Sequence, residues 1–213
     1  MTELIIRKLI LGPVSTNCYI LADPQVNEAV IIDPAWDGRR IFQAVEKEGW
    51  KITHICYSHA HFDHFAGSAE LVQLLGYTPP TALHPADSDL WRAGGGSSSF
   101  GFNLDSGPIP DIDLSRQQFF RLGKYPIRVF HTPGHSPGSC IYYCANGQVV
   151  FTGDLIFHHS IGRTDLPGGH WDELQASILN VVYTLPDETR ILPGHGEETT
   201  VREEKDRNPF IHT

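Results

Sequence analysis

Four side chains that can bind a metal ion occur within six residues of this sequence. Residues 58–64 read Ser-His-Ala-His-Phe-Asp-His, an H-x-H-x-D-H pattern. Imidazole and carboxylate groups are the donors that a borderline cation such as zinc prefers. A histidine-rich polar surface loop is the alternative, but so dense a set of ligand types at this spacing favours a metal site.

The spacing within this run indicates two metal positions. His59 and His61 are two residues apart, which suits an extended segment because its alternate side chains point the same way. In the H-E-x-x-H zinc motif, by contrast, the two histidines share a helix face. Asp63 and His64 stand at the following turn and can face a second position. We therefore predict a site for two divalent metals, with zinc expected and iron or manganese as alternatives.

Three further candidate ligands each follow an apolar, strand-like stretch. His135 lies in Thr-Pro-Gly-His, Asp154 in Thr-Gly-Asp, and His195 in Pro-Gly-His-Gly. Glycine allows a sharp turn that projects such a side chain from a sheet edge. Asp33 also closes a strand, where its carboxylate either orients a metal ligand or caps the next turn. Ser58, the first residue of the 58–64 run, is assigned the same ligand-orienting role as Asp33.

The elements that must position these residues alternate between strands and amphipathic helices. Strands are predicted at 4–11, 18–22, 29–32, 52–57, 81–83, 118–122, 127–131 and 190–192, with a hairpin around Asn146-Gly147. Helical periodicity covers 38–48, 65–75 and 171–185. Thr200 and Glu203 form a possible capping box for a terminal helix. Each candidate ligand therefore falls close to the end of a predicted strand.

The length of the chain and one glycine-rich segment indicate its domain organisation. A chain of 213 residues suits one larger α/β domain or two small ones, and the lack of a linker favours one domain over 1–213. Residues 94–110 begin with Gly-Gly-Gly-Ser-Ser-Ser and continue with several prolines, which indicates a mobile loop. Such a loop is either a lid over the site or simply disordered.

The composition excludes several kinds of partner. The chain has 16 Lys and Arg against 25 Asp and Glu, a net charge of −9, which argues against nucleic acid or an anionic membrane and favours a small-molecule substrate. No apolar run approaches the roughly 18 residues that cross a membrane. The four cysteines show no C-x-x-C spacing, and no secretory pattern opens the chain. These features predict reduced thiols and a cytoplasmic location, and they leave the oligomeric state open.

Taken together, these motifs resemble the metallo-β-lactamase superfamily, and within it the glyoxalase II-like thioester hydrolases. The resemblance extends from Asp33 to His195, most of the chain. It implies an α/β fold of four layers, an αββα sandwich, with the metals held at one edge. It also implies the ligand roles: His59, His61 and His135 for the first metal, Asp63, His64 and His195 for the second, and Asp154 bridging both.

The chain is more similar to one branch of these hydrolases than to another. Two-domain glyoxalase II enzymes carry a C-terminal helical region with basic residues for glutathione, and this chain ends before such a region. Short, single-domain microbial enzymes instead end near Asn-Pro-Phe, as at residues 208–210 here. How this chain would bind glutathione is therefore an open question at the level of sequence.

Four residues that follow Asp154 in the chain are candidates for substrate contact: His158, His159, Arg163 and Asp165. Residues 162–165, Gly-Arg-Thr-Asp, resemble a segment that contacts glutathione in related persulfide dioxygenases. Arg163 either binds a substrate carboxylate or forms a loop-bracing salt bridge with Asp165. His158 and His159 either line the pocket or lie in an exposed loop.

Hydrolysis of a thioester is the leading hypothesis. Two divalent ions roughly 3.5 to 4 Å apart can share a water and lower its pKa toward about 7, which gives a nucleophile at neutral pH. Asp63 or Asp154 is placed to accept the proton. The leaving thiol, with a pKa near 8.5, needs no strong general acid. The expected substrate is a small thioester, with S-acylglutathione as the first candidate.

Other functions share the same ligand set. A persulfide dioxygenase would use one iron held by His59, His135 and Asp154. In that family the last histidine stands in a Pro-Ala-His-Asp-Tyr context, whereas residues 193–196 read Pro-Gly-His-Gly, which favours the hydrolase. Hydrolases of other esters, lactones or lactams also share the centre. A non-catalytic, metal-stabilised binding module is disfavoured because closed structural zinc sites use four ligands, not seven.

Overall fold

A computed structural model describes residues 3–212, and its strands form two six-stranded sheets. The domain expected over 1–213 therefore has its first two residues and its last outside the described residues. In the first sheet, β1 to β3 pair antiparallel and β3 to β6 pair parallel. Its strands, in spatial order, are β1 (Ile5–Leu11), β2 (Thr16–Asp23), β3 (Glu28–Ile32), β4 (Lys51–Cys56), β5 (Thr81–Leu83) and β6 (Ile112–Asp113).

The second sheet has the spatial order β14-β13-β10-β9-β8-β7. Its strands are β7 (Phe119–Leu122), β8 (Tyr125–His131), β9 (Cys140–Cys144), β10 (Val149–Gly153), β13 (Arg190–Pro193) and β14 (Thr199–Thr200). Only the β10–β13 pair in this sheet is parallel. The predicted hairpin is confirmed, because β9 and β10 pair antiparallel across a 3₁₀ turn at Ala145–Gly147. A separate small hairpin is formed by β11 (Ile156–Phe157) and β12 (Ser160–Ile161).

Five α-helices cover the sheets: α1 (Gly38–Glu48), α2 (Ser68–Leu75), α3 (Ser88–Arg92), α4 (Trp171–Asn180) and α5 (Val201–Arg207). The prediction of one helix over 65–75 was wrong at its start, because Phe62–His64 forms a 3₁₀ turn and α2 begins at Ser68. Thr200 is the N-cap as predicted, since its hydroxyl accepts a bond from the Glu203 amide at 3.2 Å, but the Glu203 carboxylate contacts His159 and Arg207 instead of completing a capping box. No helix in the described part of the chain is long and apolar enough to span a membrane.

Apolar residues form three clusters that separate four layers. The strands of the first sheet alternate their side chains: Cys18 and Ile20 face α1 and α2, whereas Tyr19 and Leu21 face the second sheet. Phe151 packs on Tyr19 in this middle cluster, with ring centroids 5.1 Å apart. The outer face of the second sheet packs on α4 through Ile141, Val150, Leu174 and Ile178. The αββα sandwich is therefore confirmed. All four cysteines are buried and free of disulfides.

Residues 94–110 lie against the histidine run. The segment opens with 3₁₀ turns over Gly94–Phe100 and then has no regular structure up to 110. Gly95 approaches the backbone of Ala60 and Phe62 too closely for any Cβ. The ring of Phe100 packs 5.3 Å from that of Phe62, centroid to centroid. The segment thus forms one wall beside the predicted metal ligands, and its mobility stays a prediction.

Candidate metal centre

The structure brings the seven predicted ligands together at one edge of the sandwich. His59 and His61 follow β4, and Asp63 and His64 lie in the 3₁₀ turn after them. The other three come from the second sheet: His135 after β8, Asp154 after β10 and His195 after β13. Both sheets therefore contribute ligands, and each ligand lies in a segment that follows the end of a strand.

Three imidazole nitrogens converge in the first group. The Nε2 atom of His135 lies 2.8 Å from Nδ1 of His61 and 3.2 Å from Nε2 of His59. Tetrahedral zinc with Zn–N bonds of about 2.0 to 2.1 Å places its ligand atoms about 3.3 to 3.4 Å apart. The His59–His135 distance matches this spacing and the His61–His135 distance is shorter, and all three nitrogens lie within 4.8 Å of one another, as a group that could hold one cation.

The second group consists of Asp63, His64 and His195. Oδ2 of Asp63 lies 3.3 Å from Nε2 of His195 and 3.5 Å from Nε2 of His64. Asp154 lies between the two groups, with Oδ1 3.3 Å from Nε2 of His64 and Oδ2 3.7 Å from Nε2 of His135. This position is the one that a bridging carboxylate needs.

Two buried atoms at the centre of this arrangement show that a cation fits. Nε2 of His64 and Oδ1 of Asp154 are shielded from solvent and have no hydrogen-bond partner. Leaving such groups unpaired in the interior is costly, and a metal ion would satisfy both. The donor set, five imidazoles and two carboxylates, is also the one that zinc or iron takes.

The environment of the first group favours the neutral imidazoles that bind metals. Burial and the neighbouring histidines, His64 and His135 first among them, lower the pKa of His59 well below its usual range. Burial and His135 likewise lower the pKa of His61, to about 3. Both rings therefore remain uncharged at neutral pH.

The second group concentrates negative charge around one buried imidazole. Burial acts to raise the pKa of Asp63, but the charge of His64 and the hydrogen bond with His195 outweigh it and lower the value to about 2. Burial acts to lower the pKa of His64, but Asp63, Asp154 and Asp33 outweigh it and raise the value well above the usual range. A positive charge is therefore strongly stabilised beside His64, whether it is a proton or a metal cation.

Asp33 and Ser58 hold two of the ligands in orientation. Asp33 accepts bonds from the Ser58 amide at 2.6 Å and the Ser58 hydroxyl at 2.7 Å, and its Oδ2 lies 2.9 Å from Nδ1 of His64. That contact turns Nε2 of His64 toward the metal position. The Ser58 hydroxyl also lies 3.0 Å from Nδ1 of His59. Of the two roles weighed for Asp33, the structure shows the ligand-orienting one.

Polar residues at the start of β2 were missed by the sequence reasoning. The Thr16 hydroxyl donates to Oδ2 of Asp63 at 2.8 Å. The Asn17 side chain donates to the Pro193 carbonyl at 2.9 Å, and so does the Tyr19 hydroxyl at 2.7 Å. These bonds tie the loop that carries His195 to the first sheet. The only trace in the sequence is a Thr-Asn pair at the head of an apolar strand.

The glycine before His195 acts by its lack of a side chain. A Cβ on Gly194 would lie 2.7 Å from Cε1 of His64 and would clash with Oδ1 of Asp154. Its backbone is not in the left-handed region, so the sharp turn expected from the sequence is not the reason for glycine here. Gly153, with φ +48°, does adopt that region, as the turn argument predicts.

The ligands open onto a cavity of about 370 Å³. Five of them line it, His61, Asp63, His135, Asp154 and His195, together with an apolar wall of Val14, Phe62, Leu90, Phe100, Leu166 and Pro167. Arg163 is the cation in this lining. Its guanidinium meets Asp165 twice, each time at 2.7 Å, so the loop-bracing pair is what the structure shows. The Arg163 carbonyl also lies 2.8 Å from Nδ1 of His135 and orients that ligand.

Of the two placements considered for His158 and His159, the structure favours the loop over the pocket lining. They form the turn between β11 and β12 and are absent from the cavity wall. Nε2 of His159 lies 2.9 Å from Oε1 of Glu203, and the two histidine rings stack with centroids 4.0 Å apart. Contacts to α5 direct this turn away from the site. Asp165 does not line the cavity either and reaches it only through Arg163.

The comparison with known families agrees with this geometry. The sequence profile of the metallo-beta-lactamase superfamily matches residues 11–195. The chain belongs to this superfamily. Among its relatives, a probable metallo-hydrolase of Bacillus subtilis, YqgX, is 34% identical over 97% of each chain. The hydroxyacylglutathione hydrolase GloC of Haemophilus influenzae is 30% identical over 92% of this chain and 93% of its own.

Solved structures of the superfamily share the whole fold. The BLEG-1 B3 metallo-beta-lactamase superposes with a TM-score of 0.90 at 37% identity, covering 97% of this chain and 99% of its own. A chain solved in a di-iron-bound form gives 0.85 at 36% identity, covering 96% and 100%. ETHE1 from Myxococcus xanthus gives 0.80 at 29% identity, covering 96% and 83%. Superfamily membership and the His/Asp centre together define a metal-dependent hydrolase whose metal these comparisons leave open.

Proposed function

We propose that this hydrolase cleaves thioesters in the manner of glyoxalase II, with an S-acylglutathione as the first candidate substrate. The similarity to the Haemophilus influenzae hydroxyacylglutathione hydrolase, over nearly the full length of both chains, supports the thioester. Thioester cleavage also needs no dedicated general acid, because a thiolate is a good leaving group at neutral pH.

The observation that carries the proposal is the exposure of the ligands to the cavity. Five of the seven line a space of about 370 Å³, large enough for a small molecule to contact the metal positions directly. A site that only stabilises the fold is closed around its ion. The centre is therefore built for a reaction with a bound substrate.

The residues of the chain divide the work of hydrolysis. When bound, two divalent cations would lower the pKa of a shared water toward about 7 and polarise a carbonyl oxygen. The Thr16 hydroxyl fixes Oδ2 of Asp63, and Asp154 lies between the two ligand groups. Both carboxylates are ionised, because the effect of burial is outweighed, chiefly by the charge of His64, and the pKa of each is held below its usual range. Either one lies among the metal ligands, where it can accept the proton that the nucleophile loses. The thiolate then leaves without protonation.

The rest of the cavity suits a substrate with an apolar arm and few charges. Phe62, Phe100 and Leu166 form its apolar wall. A glutathione carboxylate would meet one cation of the lining, Arg163, after displacing Asp165. Because this ion pair is exposed, the displacement costs little.

A second candidate is the persulfide dioxygenase reaction with a single iron. The similarity to ETHE1 favours it, and the di-iron-bound form of another similar chain shows that iron can occupy a related centre. The Pro-Gly-His-Gly context of His195 favours the hydrolase instead. The two candidates differ in the metal that they need and in their use of oxygen.

Metal analysis paired with two activity assays tests the proposal. We expect the purified protein to contain two metal ions per chain and to hydrolyse S-lactoylglutathione. Asp154→Asn should lose metal and turnover together, while Asp89→Asn, a fully exposed carboxylate away from the site, should keep both. A single iron, with oxygen uptake on glutathione persulfide and no thioester hydrolysis, would establish the dioxygenase instead.

A further inference from the structure

A buried carboxyl group outside the ligand set lies between the two sheets. Asp87, at the end of the 3₁₀ turn Pro85–Asp87, is 0% exposed. Its Oδ2 accepts bonds from the Ala60 amide at 3.0 Å and the Ser136 hydroxyl at 2.7 Å. Its Oδ1 accepts a bond from the Gly138 amide at 2.6 Å. One side chain therefore satisfies three buried donors.

These three donors belong to the two segments that carry the first metal group. Ala60 stands between His59 and His61, on the first sheet's side of the site. Ser136 and Gly138 follow His135 in the loop of the second sheet. A Cβ on Gly138 would lie 2.6 Å from the carboxyl carbon of Asp87, so glycine is what admits the carboxyl group into this loop. Asp87 therefore links the segments whose nitrogens must converge on one cation.

The second metal group is held by different residues. Oδ2 of Asp33 contacts Nδ1 of His64, and Thr16 donates to Asp63. The hydrogen bonds made by the Asp87 side chain come from Ala60, Ser136 and Gly138, and none of them comes from Asp63, His64 or His195. Asp33 also accepts bonds from Ser58, whose hydroxyl lies 3.0 Å from Nδ1 of His59, so its support reaches both groups, whereas Asp87 links the two segments of the first group.

We propose that Asp87 is a positioning residue for the first metal group, fixing the distance between the pair His59 and His61 and the ligand His135. It acts through the backbone and through Ser136, without touching a metal or a substrate. The proposal rests on the metal centre and not on the identity of the substrate. A failure of this proposal would therefore not contradict thioester hydrolysis, and the absence of thioester hydrolysis would not contradict this proposal.

Replacing Asp87 by Asn tests this role with little change in shape. The backbone amides of Ala60 and Gly138 donate to different oxygens of Asp87, so the new amide NH₂ must face one of these two donors in a buried space. The segments then separate, and the three nitrogens of the first group no longer meet. Loss of a residue that supports a metal ligand typically costs about 10- to 100-fold in metal affinity. We expect this loss for one zinc equivalent and a change of no more than about threefold for the other.

The measurement is a titration of the metal-free protein with Zn²⁺ in competition with a chromophoric chelator. His135→Ala and His195→Ala assign the two zinc equivalents to the first and second groups. Glu204→Gln is the matched control: Glu204 is also 0% exposed and accepts bonds from the Thr199 hydroxyl at 2.7 Å and the Asn208 amide at 2.8 Å. It contacts no metal ligand, so we expect this variant to lose thermal stability and keep both equivalents.

A milder variant covers the case in which Asp87→Asn does not fold. Ser136→Ala removes one of the three hydrogen bonds and keeps the carboxyl group, so it should weaken the same equivalent by a smaller factor. The proposal would be overturned if Asp87→Asn or Ser136→Ala bound both zinc equivalents with wild-type affinity. Equal weakening of both equivalents, or loss of the second one alone, would do so as well.

Discussion

A single methyl group added at Gly194 should abolish metal binding while leaving the fold intact. The added Cβ would lie 2.7 Å from Cε1 of His64, against the 3.4 Å at which ordinary contact begins. That shortfall of about 0.7 Å exceeds the roughly 0.2 Å by which metal–ligand distances vary. The same Cβ would also displace Asp154, the carboxylate between the two groups. Crowding of this kind costs about 1 to 3 kcal/mol of stability, which a chain of this size survives.

The other glycine beside His195 provides the matched control. Gly196 has φ +75°, and a Cβ there would meet no atom within 4 Å. Gly196→Ala therefore carries only the strain of the left-handed backbone, about 1 to 2 kcal/mol. The two variants should lower the unfolding free energy by similar amounts, yet only Gly194→Ala should lose zinc. Metal content after dialysis and denaturant unfolding measure the two quantities. The reasoning is refuted if Gly194→Ala retains both metals at wild-type affinity.

Three further predictions concern single groups of the centre. Thr16→Val removes the hydrogen bond to Asp63, so zinc affinity should fall about tenfold at the second group and stay unchanged at the first in the chelator competition; equal weakening would contradict it. Asp165→Asn releases Arg163, so KM for an anionic thioester should fall by up to about fivefold while a neutral thioester is unaffected; a parallel change in both would show a different cause. In the metal-free protein the pKa of His61, about 3, lies below the value of about 6.5 for a histidine in the unfolded chain. Between these two pH values unfolding takes up a proton. The contribution of His61 to the unfolding free energy should therefore fall as the pH drops from about 6.5 toward about 3. Comparing denaturant unfolding of metal-free wild type and His61→Ala at stepped pH measures it, and an identical pH dependence would argue against the shift.

The parts of the centre that could be predicted from sequence are those with local patterns. The run at 58–64 and the later His135, Asp154 and His195 were recognisable because ligand types stood close together or after apolar strands. Thr16 and Asp87 were not recognisable, because each is an ordinary polar residue whose partner lies far away in the chain. Their roles come from contacts between the two sheets, which no local pattern encodes.

Two differences between the sequence expectations and the structure have definite physical causes. His158 and His159 have the residue type of pocket groups, but residue type does not give direction, and their hairpin turn is held by Glu203 and Glu204 on α5. The helix predicted to 185 ends at Asn180. Its apolar pattern continues because the following 3₁₀ turn, Val182–Thr184, buries Val182 and Tyr183 in the same cluster. The apolar periodicity of the sequence therefore extends beyond the end of the helix.

The contribution of ligands by both sheets has a consequence for the life of the protein in a cell. His59 and His135 are 76 residues apart in the chain, and a cation held by both would close that loop as a reversible cross-link. A cation that binds the folded protein and is released on unfolding stabilises the fold by mass action, by about 4 kcal/mol when the free metal concentration is about 1,000 times Kd. This is comparable to the whole stability of many small proteins. We therefore expect metal starvation to shorten the lifetime of the protein through proteolysis, in addition to removing its activity.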